Sequence, residues 1–255
     1  MDLQNIERSI NSLYDKFLDV IGVDKQTNLL GGRKFSGAPY IGTLYPQAKK
    51  RILFVGLDIG NDEGIGVDDF EGKRGRISPT HKKWSELPPK KAFDPHFSGT
   101  YALTLRLLYK YYGWETVWKK FTEDDDRTAY RAICSNHAIL PIELLDYISF
   151  TNIFKFVTVG RKSRGGDEDR TWKTEKCKEL QFQLLEREID ILKPEIIVFQ
   201  GVQFDGIVEK LSIDKSITTI VMVHPSARKG GYRKLKYVNE IAHELESRLQ
   251  SSANV

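Results

Sequence analysis

Four short runs of apolar residues recur along the chain, and longer segments with helical spacing separate them. The runs occupy residues 51–57 (RILFVGL), 147–154 (YISFTNIF), 195–200 (EIIVFQ) and 218–223 (TTIVMV). Continuous apolar strands that alternate with helices are typical of a parallel sheet covered by helices on both faces. The sequence therefore predicts the α/β class, as a three-layer α/β/α sandwich around a central four-stranded, mainly parallel sheet.

Apolar residues three or four positions apart predict helices in the remaining segments. The predicted helices cover residues 3–22, 100–112, 126–136, 172–192, 202–211 and 234–250. The predicted loops, which are rich in Gly, Pro or charged residues, are 23–50, 61–98 and 157–171. Because no Pro/Gly/Ser-rich linker divides the chain, we expect a single domain over 1–255, with a helix and loop over 1–50 and an insertion over 61–94.

The composition argues against several classes of protein. Cys134 and Cys177 are the only cysteines, and two thiols cannot supply the four ligands of an iron–sulfur cluster. We expect two buried thiols, with a disulfide between them as the alternative. The N-terminus lacks the basic-then-apolar pattern of a signal peptide, and no apolar run approaches the length of a membrane span. We therefore expect a soluble, cytoplasmic monomer with no membrane partner.

Polar residues stand at the ends of three of the apolar runs. Asp58 follows the first run, Asn152 interrupts the second, and His224 follows the last. Ligands of parallel sheets bind beyond the carboxyl ends of the strands, so these three side chains are candidates for a ligand site. Each also has a structural alternative, since Asp58 and His224 can cap a turn and Asn152 can tie neighbouring loops together.

Two further residues extend this pattern. Phe97 lies just ahead of a predicted helix, and Ser226 completes a His-Pro-Ser stretch. Phe97 can stack on a planar base, or it can belong to the core, which is the usual place of a lone Phe. Ser226 can bind a phosphate, and the alternative is an ordinary turn at the end of a strand.

These motifs occur in the order GxDxG, FxG before a helix, TN-x-x-K and HPS, at residues 56–60, 97–99, 151–155 and 224–226. In this order and context the chain resembles the uracil-DNA glycosylase superfamily, which cleaves the base–sugar bond of a nucleotide flipped out of DNA. The stretch 151–201 is especially similar to the bacterial and archaeal branches of that superfamily. The resemblance covers roughly residues 50–245 and is poor over 61–94.

The resemblance implies a role for each of these residues. Asp58 matches the position that orients or activates the attacking water, and His224 matches the residue that stabilises the departing base anion. Phe97 matches the aromatic ring that stacks on the flipped base, Asn152 the amide that reads its edge, and Ser226 a contact to backbone phosphate. The implied reaction needs no metal and no other cofactor.

The chemistry of base excision accounts for these residue types. Breaking an N-glycosidic bond builds positive charge on the sugar and negative charge on the leaving base. A carboxylate stabilises the cation, a histidine donor stabilises the anion, and groups aimed at developing charge usually give the largest catalytic effect. Since no lysine stands out as a Schiff-base nucleophile, we expect a monofunctional glycosylase that leaves an abasic site.

Basic residues cluster near the same motifs, although the net charge is only +4. Segment 228–236 contains five basic residues and no acidic one, and segment 161–164 reads RKSR. Phosphate contact is the better interpretation of the first segment. For the second segment, phosphate contact and a solvated surface are equally good interpretations. We expect the partner to be DNA, single- or double-stranded. The candidate DNA-binding residues are Ser226, Arg228, Lys229, Arg233, Lys234, Arg161 and Arg164.

The chain departs from the superfamily pattern near the expected base pocket. The best-known uracil enzymes carry a bulky Tyr close to the position of Gly60, where it blocks substituents on the pyrimidine. Gly60 removes that wall, and the insertion 61–94 supplies Trp84, which can stack on a sugar. These features indicate an alternative to uracil, which remains the default substrate: a bulky C5-modified cytosine, such as a glucosylated hydroxymethylcytosine in phage DNA, with a role in anti-phage defence. The structural alternative is that the insertion is a surface elaboration with no role in the base pocket.

Two other classes of function are weaker alternatives. A non-catalytic DNA-binding module needs neither Asp58 nor His224, so the presence of both argues against it. An unrelated nucleotide-binding α/β enzyme is typically marked by G-x-G-x-x-G or G-x-x-x-x-G-K-[ST] after its first strand, and the loop after residue 57 has neither pattern.

Overall fold

The structure is a computed structural model that describes residues 2–22, 29–30, 33–35, 38–57, 95–123, 144–158, 175–225 and 235–252. The helices in these ranges are α1 (Leu3–Ile21), α2 (Pro95–Tyr112), α3 (Glu115–Glu123), α4 (Glu175–Leu192), α5 (Asp205–Val208) and α6 (Leu235–Ser252). The strands are β1 (Leu29–Leu30), β2 (Arg33–Phe35), β3 (Tyr40–Ile41), β4 (Ile52–Gly56), β5 (Ile148–Asn152), β6 (Phe156–Thr158), β7 (Ile196–Gln200) and β8 (Thr218–Met222).

The larger sheet confirms the α/β class but not the predicted number of strands. In the described part of the chain it has five strands in the order β3-β5-β4-β7-β8. The four predicted strands are parallel to their neighbours, and β3 adds an antiparallel edge next to β5. A second, three-stranded sheet with the order β1-β2-β6 is antiparallel throughout.

The prediction of a loop over 23–50 was therefore wrong where β1, β2 and β3 lie. These strands are only two or three residues long. A strand of two or three residues is too short to show alternation in the sequence. The Gly and Pro residues of this segment were therefore the stronger signal, and they indicated a loop. The predicted loop at 157–171 likewise begins inside β6.

Successive residues of the central strands face two different apolar cores. Ile52 and Phe54 of β4 belong to a core shared with α2 and α6, whereas Leu53 and Val55 belong to a core shared with α1 and α4. All five residues of β7 are buried. Full burial of such a side chain stabilises the folded state by roughly 1.5–3 kcal/mol. Because these strands are buried on both faces, nearly all their residues are apolar, and they appear in the sequence as continuous apolar runs.

The predicted helices are confirmed where the structure describes them, with shifted ends. The helix predicted at 100–112 begins earlier, at Pro95, and the segment predicted as one helix at 202–211 is a 3₁₀ turn followed by the short α5. Helix α3 was not predicted, and the helix predicted at 126–136 lies outside the described residues. None of the described helices is long and apolar enough to cross a membrane.

Candidate functional site

The strand order defines a crevice at one edge of the larger sheet. From β4 the chain places β5 on one side and then crosses to β7 and β8 on the other side. In open α/β sheets, ligands bind beyond the carboxyl ends of the strands, at the point where the connections diverge in opposite directions. That point lies here between β4 and β7, which end at Gly56 and Gln200.

Asn152 lies beside this crevice at the end of β5. It pairs in register with Gly56 of β4, and its side chain is partly buried. A Cβ atom added to Gly56 would stand only 2.3 Å from Oδ1 of Asn152. The carboxamide of Asn152 therefore occupies the space that a side chain at position 56 would need, directly above the end of β4.

Hydrogen bonds continue beyond the ends of β4 and β5. The backbone N–H of Ile153 donates to the carbonyl oxygen of Gly56 at 2.9 Å, and that of Phe154 donates to the carbonyl oxygen of Leu57 at 2.9 Å. These bonds fix the start of the loop that leads to Asp58. They also hold it next to the backbone that carries Asn152.

A buried polar cluster lies beneath this edge and is formed by Tyr14, Thr151, Lys155 and Glu188. Nζ of Lys155 donates to Oγ1 of Thr151 at 2.6 Å and lies 2.7 Å from Oε1 of Glu188. The Thr151 hydroxyl donates to the other carboxylate oxygen of Glu188 at 2.7 Å, and the Tyr14 hydroxyl donates to Oε1. The cluster thereby joins side chains of α1, β5 and α4 to a side chain of the segment after β5.

Burial governs the ionisation of this cluster. The side chains of Lys155 and Glu188 are 1% and 0% exposed. Burial lowers the pKa of Lys155, and the neighbouring carboxylate of Glu188 partly opposes that effect. Burial, reinforced by the charge of Glu188, raises the pKa of Tyr14 well above its usual value. The cluster is held together by the contact of Lys155 with Glu188 and by hydrogen bonds that the Tyr14 and Thr151 hydroxyls donate to the same carboxyl group.

Gln200 connects the other side of the crevice to helix α2. Its side chain is 1% exposed, and its Nε2 donates to Oγ1 of Thr100 at 3.0 Å. Helix α2 begins at Pro95, so Phe97 lies in its first turn, although the Phe97 side chain is outside the described part of the structure. The predicted stacking residue is thus placed on a helix that is joined to the carboxyl edge of the sheet.

His224 follows β8 after one intervening residue and is exposed, whereas the adjacent Pro225 is buried. Three strand spacings of about 4.8 Å separate β8 from β5, so the two strand ends lie roughly 14 Å apart. Asn152 and His224 consequently stand on opposite sides of the β4–β7 crevice.

The structure thus brings Asn152, His224 and Leu57, the residue before Asp58, to one edge of the sheet. The predicted site residues that lie outside the described residues are Asp58, Gly60, Ser226, Arg228, Lys229, Arg233, Lys234, Arg161 and Arg164. Cys134 and the Cys177 side chain also lie outside them. Within the described ranges, no group of three or more His, Cys, Asp or Glu side chains is arranged to hold a metal ion.

Sequence reasoning missed Glu188 and Gln200. Glu188 had a detectable signal, because it lies four residues from both Leu184 and Leu192 and therefore on the apolar face of α4. A carboxylate on such a face requires a buried partner. Gln200 had a weaker signal, as the polar last residue of an apolar run.

Comparison with known proteins adds no assignment to these observations. No protein-family model matches the chain, and no curated protein gives a significant match to it.

Proposed function

We propose that this chain is a monofunctional DNA glycosylase that hydrolyses the N-glycosidic bond of a flipped-out uracil or modified pyrimidine in DNA. The observation that carries the proposal is the placement of the Asn152 carboxamide over Gly56, at the start of the loop that leads to Asp58. An amide that donates and accepts can read the edge of a pyrimidine. Asp58 follows Gly56 by two residues in the sequence, and in the proposal its carboxylate acts on the sugar of the same nucleotide.

The proposed reaction assigns each residue one step. Water attacks C1′ of the flipped nucleotide while the bond from C1′ to the base nitrogen breaks and its electron pair leaves with the base. Asp58 accepts a proton from the attacking water and stabilises positive charge on the sugar. His224 donates a hydrogen bond to the base anion, and Phe97 stacks on the base.

The proposal also includes the arrangement of the chain around DNA. In it, the chain is one uracil-DNA glycosylase-like domain with three α/β/α layers, and the basic segments 161–164 and 228–236 contact backbone phosphates. A base inside a duplex is inaccessible, so the nucleotide must be extruded into the crevice between β4 and β7. Exposure of His224 at the rim of this crevice is compatible with a partner that arrives from solvent.

Base release measured by mass spectrometry tests the proposal. The substrates are DNA containing uracil and phage DNA that carries bulky C5-modified cytosines. Asp58→Asn should abolish release and retain DNA binding, measured by fluorescence anisotropy at one fixed salt concentration. Asp214→Asn is the matched control, because Asp214 is exposed and lies in the turn before β8, at the opposite edge of the sheet.

The outcomes separate the candidate functions. Release of uracil identifies an ordinary repair activity, and release of only the modified base makes Gly60 and segment 61–94 the determinants of specificity. DNA binding without release of any base, unchanged by Asp58→Asn, would refute the enzymatic proposal in favour of a binding module.

A further inference from the structure

We propose that the buried cluster of Tyr14, Thr151, Lys155 and Glu188 is a positioning unit, which holds Asn152 and residues 56–57 at the end of β4 in the arrangement used for base recognition. The inference rests on the proposed glycosylase function. The four residues touch no substrate in this scheme. They act through the backbone that they hold.

The cluster clamps a short segment at both of its ends. Thr151 immediately precedes Asn152, and Lys155 follows it by three residues. Both side chains contact the carboxylate of Glu188, at 2.7 Å in each case. One residue of α4 therefore fixes the two ends of segment 151–155, and Asn152 lies between them.

A second contact with α4 fixes the same segment through its backbone. The N–H of Lys155 donates to Oε1 of Gln181 at 2.8 Å, and Gln181 is fully buried. Lys155 is therefore held by its side chain and by its main chain to two positions of one helix. This restraint sets where the chain leaves the larger sheet and enters β6 of the smaller one.

The clamped segment transmits its position to the loop after β4. The N–H groups of Ile153 and Phe154, inside the clamp, donate to the carbonyl oxygens of Gly56 and Leu57 at 2.9 Å each. Asp58 is the residue that follows Leu57 in the sequence. Movement of segment 151–155 would thus displace the Asn152 amide together with Gly56 and Leu57, the residues that precede Asp58 in the sequence.

A buried ion pair is suited to this task for a physical reason. Replacing such a pair by well-packed apolar groups is often neutral or even stabilising, so stability alone does not account for its presence. Directional hydrogen bonds do restrict geometry, and here they converge on the single carboxylate of Glu188. Lys155 is only 1% exposed and its Nζ is engaged by Thr151 and Glu188, so in this scheme it acts through these contacts and not as a nucleophile.

Three variants of β5 test the inference. Thr151→Val removes the hydroxyl that joins Lys155 to Glu188 and conserves the shape of the side chain, and Thr151→Ser restores the hydroxyl. Ser149→Ala is the matched control, because Ser149 is buried on the same strand and donates to the carbonyl oxygen of Tyr40 at 2.6 Å, away from the site. Lys155→Met is avoided here, since an unpaired buried Glu188 can prevent folding.

Two measurements are made on each variant. Hydrogen exchange of the Ile153 and Phe154 amides is compared with that of amides in β7, so that a global loss of stability cancels. Base release is measured in single turnover with saturating enzyme, where the rate constant does not depend on the fraction of protein that is folded. We expect Thr151→Val to accelerate local exchange and to slow release, each by about tenfold or more, because hydrogen bonds to charged groups correspond to at least that factor.

Thr151→Ser should recover most of both effects, and Ser149→Ala should show neither. Local exchange that changes no more in Thr151→Val than in Ser149→Ala would overturn the clamp. Faster exchange with unchanged release would overturn its role in the reaction. A wild-type protein that releases no base is a separate result: it refutes the glycosylase proposal itself, and the role in base recognition falls with it.

Discussion

Replacing Gly56 by Ala should damage the proposed reaction while sparing the fold. The added Cβ would stand 2.3 Å from Oδ1 of Asn152, whereas ordinary contact begins at 3.4 Å. The carboxamide must therefore move by roughly 1 Å. Because it is the end of a side chain and no backbone atom outside residues 55–57 lies closer than 3.8 Å to the new Cβ, this movement requires little rearrangement of the sheet.

The size of each effect follows from this geometry. A misplacement of about 1 Å can reduce a catalysed rate by about 100-fold, which corresponds to a barrier higher by about 2.7 kcal/mol. The backbone effect has the opposite sign, since Gly in a strand is less stable than Ala by roughly 0.5–1 kcal/mol. We expect Gly56→Ala to lose about 100-fold in single-turnover base release while its free energy of unfolding changes by less than about 1 kcal/mol.

Urea unfolding followed by circular dichroism supplies the stability measurement. Gly206→Ala is the matched control, because a Cβ added at that exposed position of α5 meets no atom within 4 Å. It should release base at the wild-type rate. A Gly56→Ala protein with the wild-type rate would refute the assigned position of the Asn152 carboxamide. A loss of several kcal/mol in stability would instead show that the carboxamide cannot move aside.

Three further outcomes are expected from the charged groups. Lys155→Met should lower the free energy of unfolding by about 3–5 kcal/mol in urea titrations, and adding Glu188→Gln should recover part of that loss, because the single variant leaves a buried charge unpaired. The raised pKa of Tyr14 contributes stability that is full below its usual value of 10.0 and is lost as the pH rises above it. The stability difference between wild type and Tyr14→Phe should therefore shrink above about pH 10. A difference between their urea midpoints that stays constant across that range would contradict this prediction. Burial raises the pKa of Glu246, but the hydrogen bond and charge of Arg106, with further contributions from Lys110 and His243, together lower it. The ion pair of Arg106 with Glu246 should contribute no more than about 1 kcal/mol to the free energy of unfolding. This part of the effect of Arg106→Ala should be lost as the pH falls well below 4.5 and should weaken in high salt.

The four parallel strands were predictable because their burial leaves a direct trace in the sequence. A strand covered on both faces must be apolar at every position, and β7 meets that condition completely. Strand β3 leaves no such trace, since it has two residues and lies at the edge. The order of the strands could not be predicted from the sequence either, because it depends on which side of β4 each later strand is added.

The candidate site was predictable where a single residue carries the signal and unpredictable where a tertiary pairing does. Asn152 interrupts an apolar run that predicts a strand over 147–154, so its polarity alone marked it as a candidate for a ligand site. Its relation to Gly56 arises only from the register of β4 against β5, which the linear order of residues does not contain.

Glu188 illustrates the boundary between these two cases. Its position on the apolar face of α4 implies a buried partner, but the partner lies in a segment that follows a different strand. Lys155 is the matching cation, and the same residue ends the TN-x-x-K motif that also supplies Asn152. The lysine of that motif is therefore explained by the carboxylate beneath the sheet edge, and the asparagine by Gly56 and the crevice above it. A substitution at one end of the motif should therefore alter the structure at its other end. The variants Thr151→Val and Thr151→Ser measure this effect directly.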